Sequence, residues 1–187
     1  MAKKSKKKSS TLGLILNIAI IVLGVLTLCT LFMPVIKHEL FAGNKVDSIL
    51  GSDVVATAFS SELSSEMSAG TLLLYGLKTG DGTAFITNIF CWGYIITLCV
   101  ACASVVFAVL NLIGLKFKLV NKVIGIVLIA IALVTFIFGL IVMSKFTNVT
   151  EILGKEIGTK GTVGFGIICM ITALNGGGVQ TYNSMRK

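Results

Sequence analysis

The sequence predicts an all-α integral membrane protein, a four-helix transmembrane bundle with a long, partly helical first exterior loop. Three observations carry this. The chain of 187 residues is 55% hydrophobic and only 13% charged, too apolar for a soluble domain. Its apolar residues come in runs, and two of these, 84–114 and 119–143, adjoin across a basic link at 115–118. As helices at 1.5 Å per residue the runs would be roughly 45 Å and 37 Å long, and a bilayer core of about 30 Å needs about 20 apolar residues. They read as a transmembrane hairpin, and everything else flanks it.

In chain order, residues 1–10 form a basic cytoplasmic tail with Lys3, Lys4, Lys6, Lys7 and Lys8. Such a cluster is drawn to anionic lipid by roughly 1 kcal/mol per lysine near the surface. Residues 11–36 are the first span; the run is too long for a secretory h-region and no small-x-small cleavage site follows it. Pro34, the only proline, sits at its far end, where a helix stops or kinks cheaply. The segment 37–83 is the long exterior loop, with six acids against three lysines. Within it Val55, Phe59, Leu63 and Met67 recur every four residues behind Ser52-Asp53, which predicts a short amphipathic helix with an N-cap there. Leu72 to Tyr75 reads as a short strand or buried turn, and Thr79-Gly80-Asp81-Gly82 as a turn. The spans 84–114 and 119–143 follow. Residues 144–160 are a second, shorter exterior loop, 161–176 a glycine-rich fourth span, and 177–187 a polar cytoplasmic tail.

Charge segregation orients the spans. With the amino terminus inside, the inner segments hold Lys3, Lys4, Lys6, Lys7, Lys8, Lys116, Lys118, Lys122, Arg186 and Lys187, ten basic residues against six in the outer loops. The positive-inside rule favours that orientation, and all eight acids fall outside. A net charge of +8 would suggest nucleic acid in a soluble protein. Here the basic residues sit at the ends of apolar runs, where they encode topology, so no nucleic-acid partner is expected.

Helices in lipid pack through small residues, because lipid supplies no hydrophobic drive between them. In the second span Gly93, Thr97, Ala101, Ser104, Ala108 and Asn111 are spaced 4, 4, 3, 4, 3 and form one helical face. Gly24 with Gly13, Asn17 and Thr27 repeats this in the first span; Gly125, Ala132, Thr135 and Gly139 do so in the third. The fourth offers Gly166, Cys169, Ala173 and Gly176 or Gly177. Asn17, Asn111 and Asn175 lie toward the cytoplasmic ends and read as interhelical hydrogen-bonding groups.

Little in the sequence points to catalysis. Cys99-Val100-Ala101-Cys102 is a C-x-x-C, so Cys99 and Cys102 are the candidate pair for a membrane thiol-disulfide oxidoreductase. They fall near mid-helix, where burial makes a thiol inert, and both exterior loops lack cysteine; small packing residues are the better reading. His38 is the only histidine. Trp92, Tyr94 and Tyr75 read as interfacial aromatics. No acid or histidine lies deep in a predicted span, where transporters and relays place them, and no Walker, H-E-x-x-H or G-x-S-x-G motif occurs. No cofactor or metal is expected.

The plan of inside termini, long first exterior loop, tight inner turn and shorter second exterior loop resembles the claudin and peripheral-myelin-protein class of tetraspan proteins. The resemblance is one of topology: segment 37–83 has no tryptophan and no cysteine, where claudins carry a Trp-Gly-Leu-Trp-Cys-Cys type signature. It implies an adhesion or scaffolding role. The expectation is a non-enzymatic multi-pass protein of the cytoplasmic membrane, an interaction protein or accessory subunit whose exterior loop contacts a protein partner. The alternative is an oligomeric channel or transporter component, self-associating through its small-residue faces.

Overall fold

In a computed structural model, which describes residues 2–40, 45–62, 67–115, 117–146, 148–152 and 155–186, the basic tail and the first apolar run are one helix. Lysine and leucine are both good helix formers, and nothing interrupts α1 (Ala2–Cys29). A 3-10 turn follows at Thr30–Phe32. Proline disfavours helical backbone in the residue before it, and Met33 is extended (φ −102°, ψ 149°). Pro34 therefore opens a strand instead of closing a span, and the first span ends earlier than residue 36.

That strand, β1 (Pro34–Leu40), makes an antiparallel hairpin with β2 (Lys45–Leu50), in register from Leu40 opposite Lys45 to Pro34 opposite Leu50, with an irregularity between Pro34 and Ile36. Two short helices come next, α2 (Gly51–Phe59) and α3 (Ala69–Thr79). The predicted turn at 79–82 leads into α4 (Ala84–Leu112), with Gly82 at φ +79°, a conformation open to glycine at no steric cost. After the link comes α5 (Lys118–Lys145). A second hairpin, β3 (Asn148–Ile152) and β4 (Lys155–Val163), then feeds α6 (Phe165–Met185).

The two hairpins join. β4 pairs antiparallel with β1, from Ile36 opposite Val163 to Leu40 opposite Thr159, giving a four-stranded sheet in the order β2-β1-β4-β3. The all-α expectation thus holds for the long helices and for α2 and α3, while both polar segments also contribute strands. The sheet, α2 and α3 form a head at one end of the molecule.

Below the head, α1 packs on α4 and α6, and α5 on α4 and α6, so the four long helices close a ring. Among the described residues, three stretches are long and apolar enough to cross a membrane: Thr11–Phe32, Ala84–Leu112 and Lys118–Lys145. The last helix differs from the predicted 161–176: residues 161–163 belong to β4, and the supposed tail continues the helix to Met185. One core runs unbroken from head to helices, with Val35, Ile36, Ile49, Val54 and Leu74 above and Phe90, Tyr94, Val142, Ile167 and Met170 below. A smaller core at the far end holds Ala101, Leu128, Ala132 and Ala173.

Three local readings are corrected. The N-cap of α2 is Leu50, not Ser52-Asp53; Asp53 is the third helical residue. Its buried face is Asp53, Val54, Thr57 and Ala58, because α2 leans on α3 and α4; Phe59 points outward at 66% exposure, and Leu63 lies outside the described residues. Leu72 to Tyr75 are helical, within α3, burying Leu74 and Tyr75.

Candidate functional site

The head is the candidate site, and a buried carboxylate organises it. The first four N–H groups of any helix lack partners within it. Asp53 Oδ2 accepts the backbone N–H of Leu50 at 2.8 Å, capping its own helix. Its Oδ1 accepts the hydroxyls of Ser68 and Thr71 at the start of α3. Ser68 in turn caps α3 by accepting Thr71 N–H at 3.1 Å. One anion thus sits where two helix N-termini converge, the favourable place for negative charge. Gly70 makes this approach feasible, since a Cβ there would collide with the Asp53 carboxylate.

The opposite end of the pair carries the complementary charge. Lys78 Nζ, on α3, donates to the carbonyls of Thr57 (2.8 Å), Ala58 (3.1 Å) and Ser60 (2.8 Å) at the C-terminus of α2. Tyr75 Oη donates to the Ser61 carbonyl at 3.0 Å. The α2–α3 pair is therefore clamped by an anion at one end and a cation at the other. Between the helices lies a groove of about 380 Å³ lined by Ser52, Asp53, Ala56, Ser60, Met67, Ser68 and Thr71. Its rim of hydroxyls over a satisfied carboxylate suits hydrogen-bonded contact with a polar surface.

The head is seated on the helices by a buried joint. Tyr94, on α4, shares a hydrogen bond of 2.9 Å with the Thr30 hydroxyl, and Gly51 packs so closely that a Cβ would meet both Tyr94 Oη and the Thr30 carbonyl. Tyr94 is wholly buried, and Tyr75 nearly so; neither is an interfacial aromatic. Trp92 is half-exposed and stands edge-on to Phe59 at 5.4 Å.

The helix-packing residues fall as follows. Thr97, Ala101, Ser104 and Ala108 are buried along one face of α4, and Gly93 backs onto Thr135 of α5. A Cβ on Gly24 would strike Val105; one on Gly139 would lie 2.9 Å from the Phe90 ring. A Cβ on Gly125 would lie 2.8 Å from the Gly177 carbonyl, and one on Gly177 2.6 Å from the Gly125 carbonyl, so α5 and α6 cross backbone to backbone. Asn111 accepts from Asn121 Nδ2 at 3.3 Å, and Asn17 accepts from Asn183 Nδ2 at 2.9 Å. Both bond between helices; Asn175 is exposed and makes no such bond among the described residues.

Gln180 and Asn121 were not singled out by sequence. Ser104 donates to Gln180 Oε1 (2.6 Å), Gln180 Nε2 to Asn121 Oδ1 (3.1 Å), and Asn121 on to Asn111, which ties α4, α5 and α6 at the far end. The signal existed: Ala173, Gly177 and Gln180, spaced four and three, continue the small-residue face past residue 176.

Cys99 and Cys102 are free thiols on the exposed side of α4. They are not packing residues: the buried face of α4 runs through Ala101 and Ser104 instead. The five lysines of residues 1–10 lie on the first turns of α1; their side chains are outside the described residues. Among the described residues no group of three or more His, Cys, Asp or Glu side chains could hold a metal. Comparisons with protein-family models, with curated proteins and with solved structures find no significant match. The apolar helices mark a membrane-embedded protein.

Proposed function

We propose that this chain is a four-span protein of the cytoplasmic membrane, with α6 as the fourth span, both termini inside and the head outside. In this reading it works without catalysis, as a scaffold or accessory subunit that contacts a protein partner through the head. α6 has 21 residues, about 31 Å of helix and close to a bilayer core, and it sits in the ring between α1 and α5. The lysine and arginine distribution supports the orientation, and the tetraspan plan that resembles claudins supports the role.

The observation that carries the reading is the joining of β1 to β4. Polar segments from distant parts of the chain build one head, share a core with the helices, and turn a hydroxyl-lined groove outward. The ring interior is filled by apolar side chains and paired polar groups, which favours an interaction role over a pore through a single chain. The test is crosslinking and purification from native membranes by a carboxy-terminal tag, comparing wild type with Ala56→Arg. Ala56 is exposed in the groove, so the arginine fills it without touching the core. A discrete partner should be captured by wild type and lost from the variant. Recovery of self-crosslinked chains alone, or capture indifferent to the substitution, would refute this reading.

A further inference from the structure

Every described carboxamide on the long helices has a hydrogen-bond partner, with one exception. Asn17 pairs with Asn183, Asn88 donates to the Ala84 carbonyl, and Asn111, Asn121 and Gln180 bond within the far-end network. Asn175 is exposed, and its side chain has no hydrogen bond among the described residues. It lies on the side of α6 turned away from α1 and α5, in the exposed series Ile171, Asn175, Gly178, Tyr182 and Met185, spaced 4, 3, 4, 3.

The depth of this residue makes its exposure informative. Gly177 packs against Gly125 and Ile129 of α5, so Asn175 is near the level of Ile129. Along α5 that is about 10 Å beyond Lys122 and about 24 Å short of Lys145 at 1.5 Å per residue. With α6 as the fourth span, the reading proposed above on which this inference rests, the carboxamide faces hydrocarbon, where polar groups without partners are costly and Asn side chains bond across helices. Something covers it.

We infer that this face of α6 is the contact between two copies of the chain, related by a twofold axis beside Asn175. A carboxamide carries both donor and acceptor, so two such groups facing across a twofold satisfy each other with no further partner, as an isologous contact requires. No exposed residue of the series is charged, so nothing on the face repels its own copy. Gly178 has open space around it within its own chain, which lets the second backbone approach closely. This dimer does not depend on what the head binds.

The test uses the full chain, labelled with donor and acceptor dyes and reconstituted in lipid vesicles, with energy transfer read against protein-to-lipid ratio. Wild type should dimerise, and Asn175→Leu should raise the dissociation constant about tenfold, the effect of losing a modest interhelical hydrogen bond. Gly178→Leu should weaken the dimer at least as much by holding the backbones apart. It meets open space in the monomer, so both variants should melt with wild type when solubilised as monomers. A wild type showing only chance proximity in vesicles would overturn the inference, whether the face is then bare or covered by another polypeptide. Dimers indifferent to both substitutions would also overturn it.

Discussion

Replacing Lys78 by methionine isolates the cationic half of the head clamp. Methionine keeps most of the aliphatic stem and its packing but removes the ammonium, which donates to three carbonyls at 2.8–3.1 Å. Thr57 and Ala58 are among the last residues of α2, where carbonyls run short of partners along the helix; the Thr57 carbonyl has a long 3.3 Å bond from Ser60 N–H besides the lysine. A hydrogen bond to a charged group contributes about 1.5–3 kcal/mol, and a cation at a helix C-terminus about 0.3–1 kcal/mol when exposed. These do not sum: one partly buried ammonium serves all three carbonyls, and water reaches the freed groups. A net loss of about 2 kcal/mol is reasonable, or roughly a thirtyfold rise in local opening of α2. Hydrogen exchange of the protein in lipid nanodiscs reads this directly. Amides at the C-terminal end of α2 should exchange roughly thirtyfold faster, while those of 128–139 in α5 stay unchanged. Unaltered exchange in α2 would refute the clamp; acceleration throughout the chain would show that Lys78 supports the whole fold and not this pair.

Other substitutions probe the remaining joints. Gly125→Val should lower the melting temperature in detergent sharply, since its Cβ would meet the Gly177 carbonyl and Thr181, and overpacking costs about 1–3 kcal/mol or more. Gln180→Leu should destabilise by about 1–3 kcal/mol, because Ser104 and Asn121 each lose a buried partner; chemical denaturation in mixed micelles measures it. Replacing Cys99 and Cys102 together by serine should change stability by less than about 0.5 kcal/mol, as both lie off the packed face of α4 and a serine hydroxyl bonds the carbonyl four residues back in its own helix, and should leave partner capture intact. Loss of capture in that variant would revive a redox role.

The helical layer was legible because its signals are local. Run length defined α4 and α5 to within a few residues, and the small-residue spacing picked out Thr97, Ala101, Ser104 and Ala108, all buried. The sheet was not legible. β1 and β4 pair across more than a hundred residues of chain, and their sequences, Pro34 to Leu40 and Lys155 to Val163, lack the alternation that marks a half-buried strand. α6 was cut short because the glycine-rich, polar sequence after residue 176 reads as a tail. Gly177 and Gly176 pack against Gly125 and Leu23, the close helix contact that the small-residue face anticipated, and the helix runs on past them to Met185. Asp53 was placed at the right helix end but at the wrong position: it caps α2 from the third helical residue and not as the N-cap, and only the fold brings Ser68 and Thr71 to it.

The orientation of the head is the claim on which the proposed role depends, and labelling with a membrane-impermeant thiol reagent tests it in intact cells. Single cysteines are placed at Ser52, exposed in the groove, and at Leu115, exposed in the link between α4 and α5, in a chain whose own cysteines are changed to serine. The prediction is labelling of Ser52→Cys in intact cells and of Leu115→Cys only after permeabilisation. The reverse pattern, or labelling of both from one side, would contradict a head held outside by a chain that crosses the membrane.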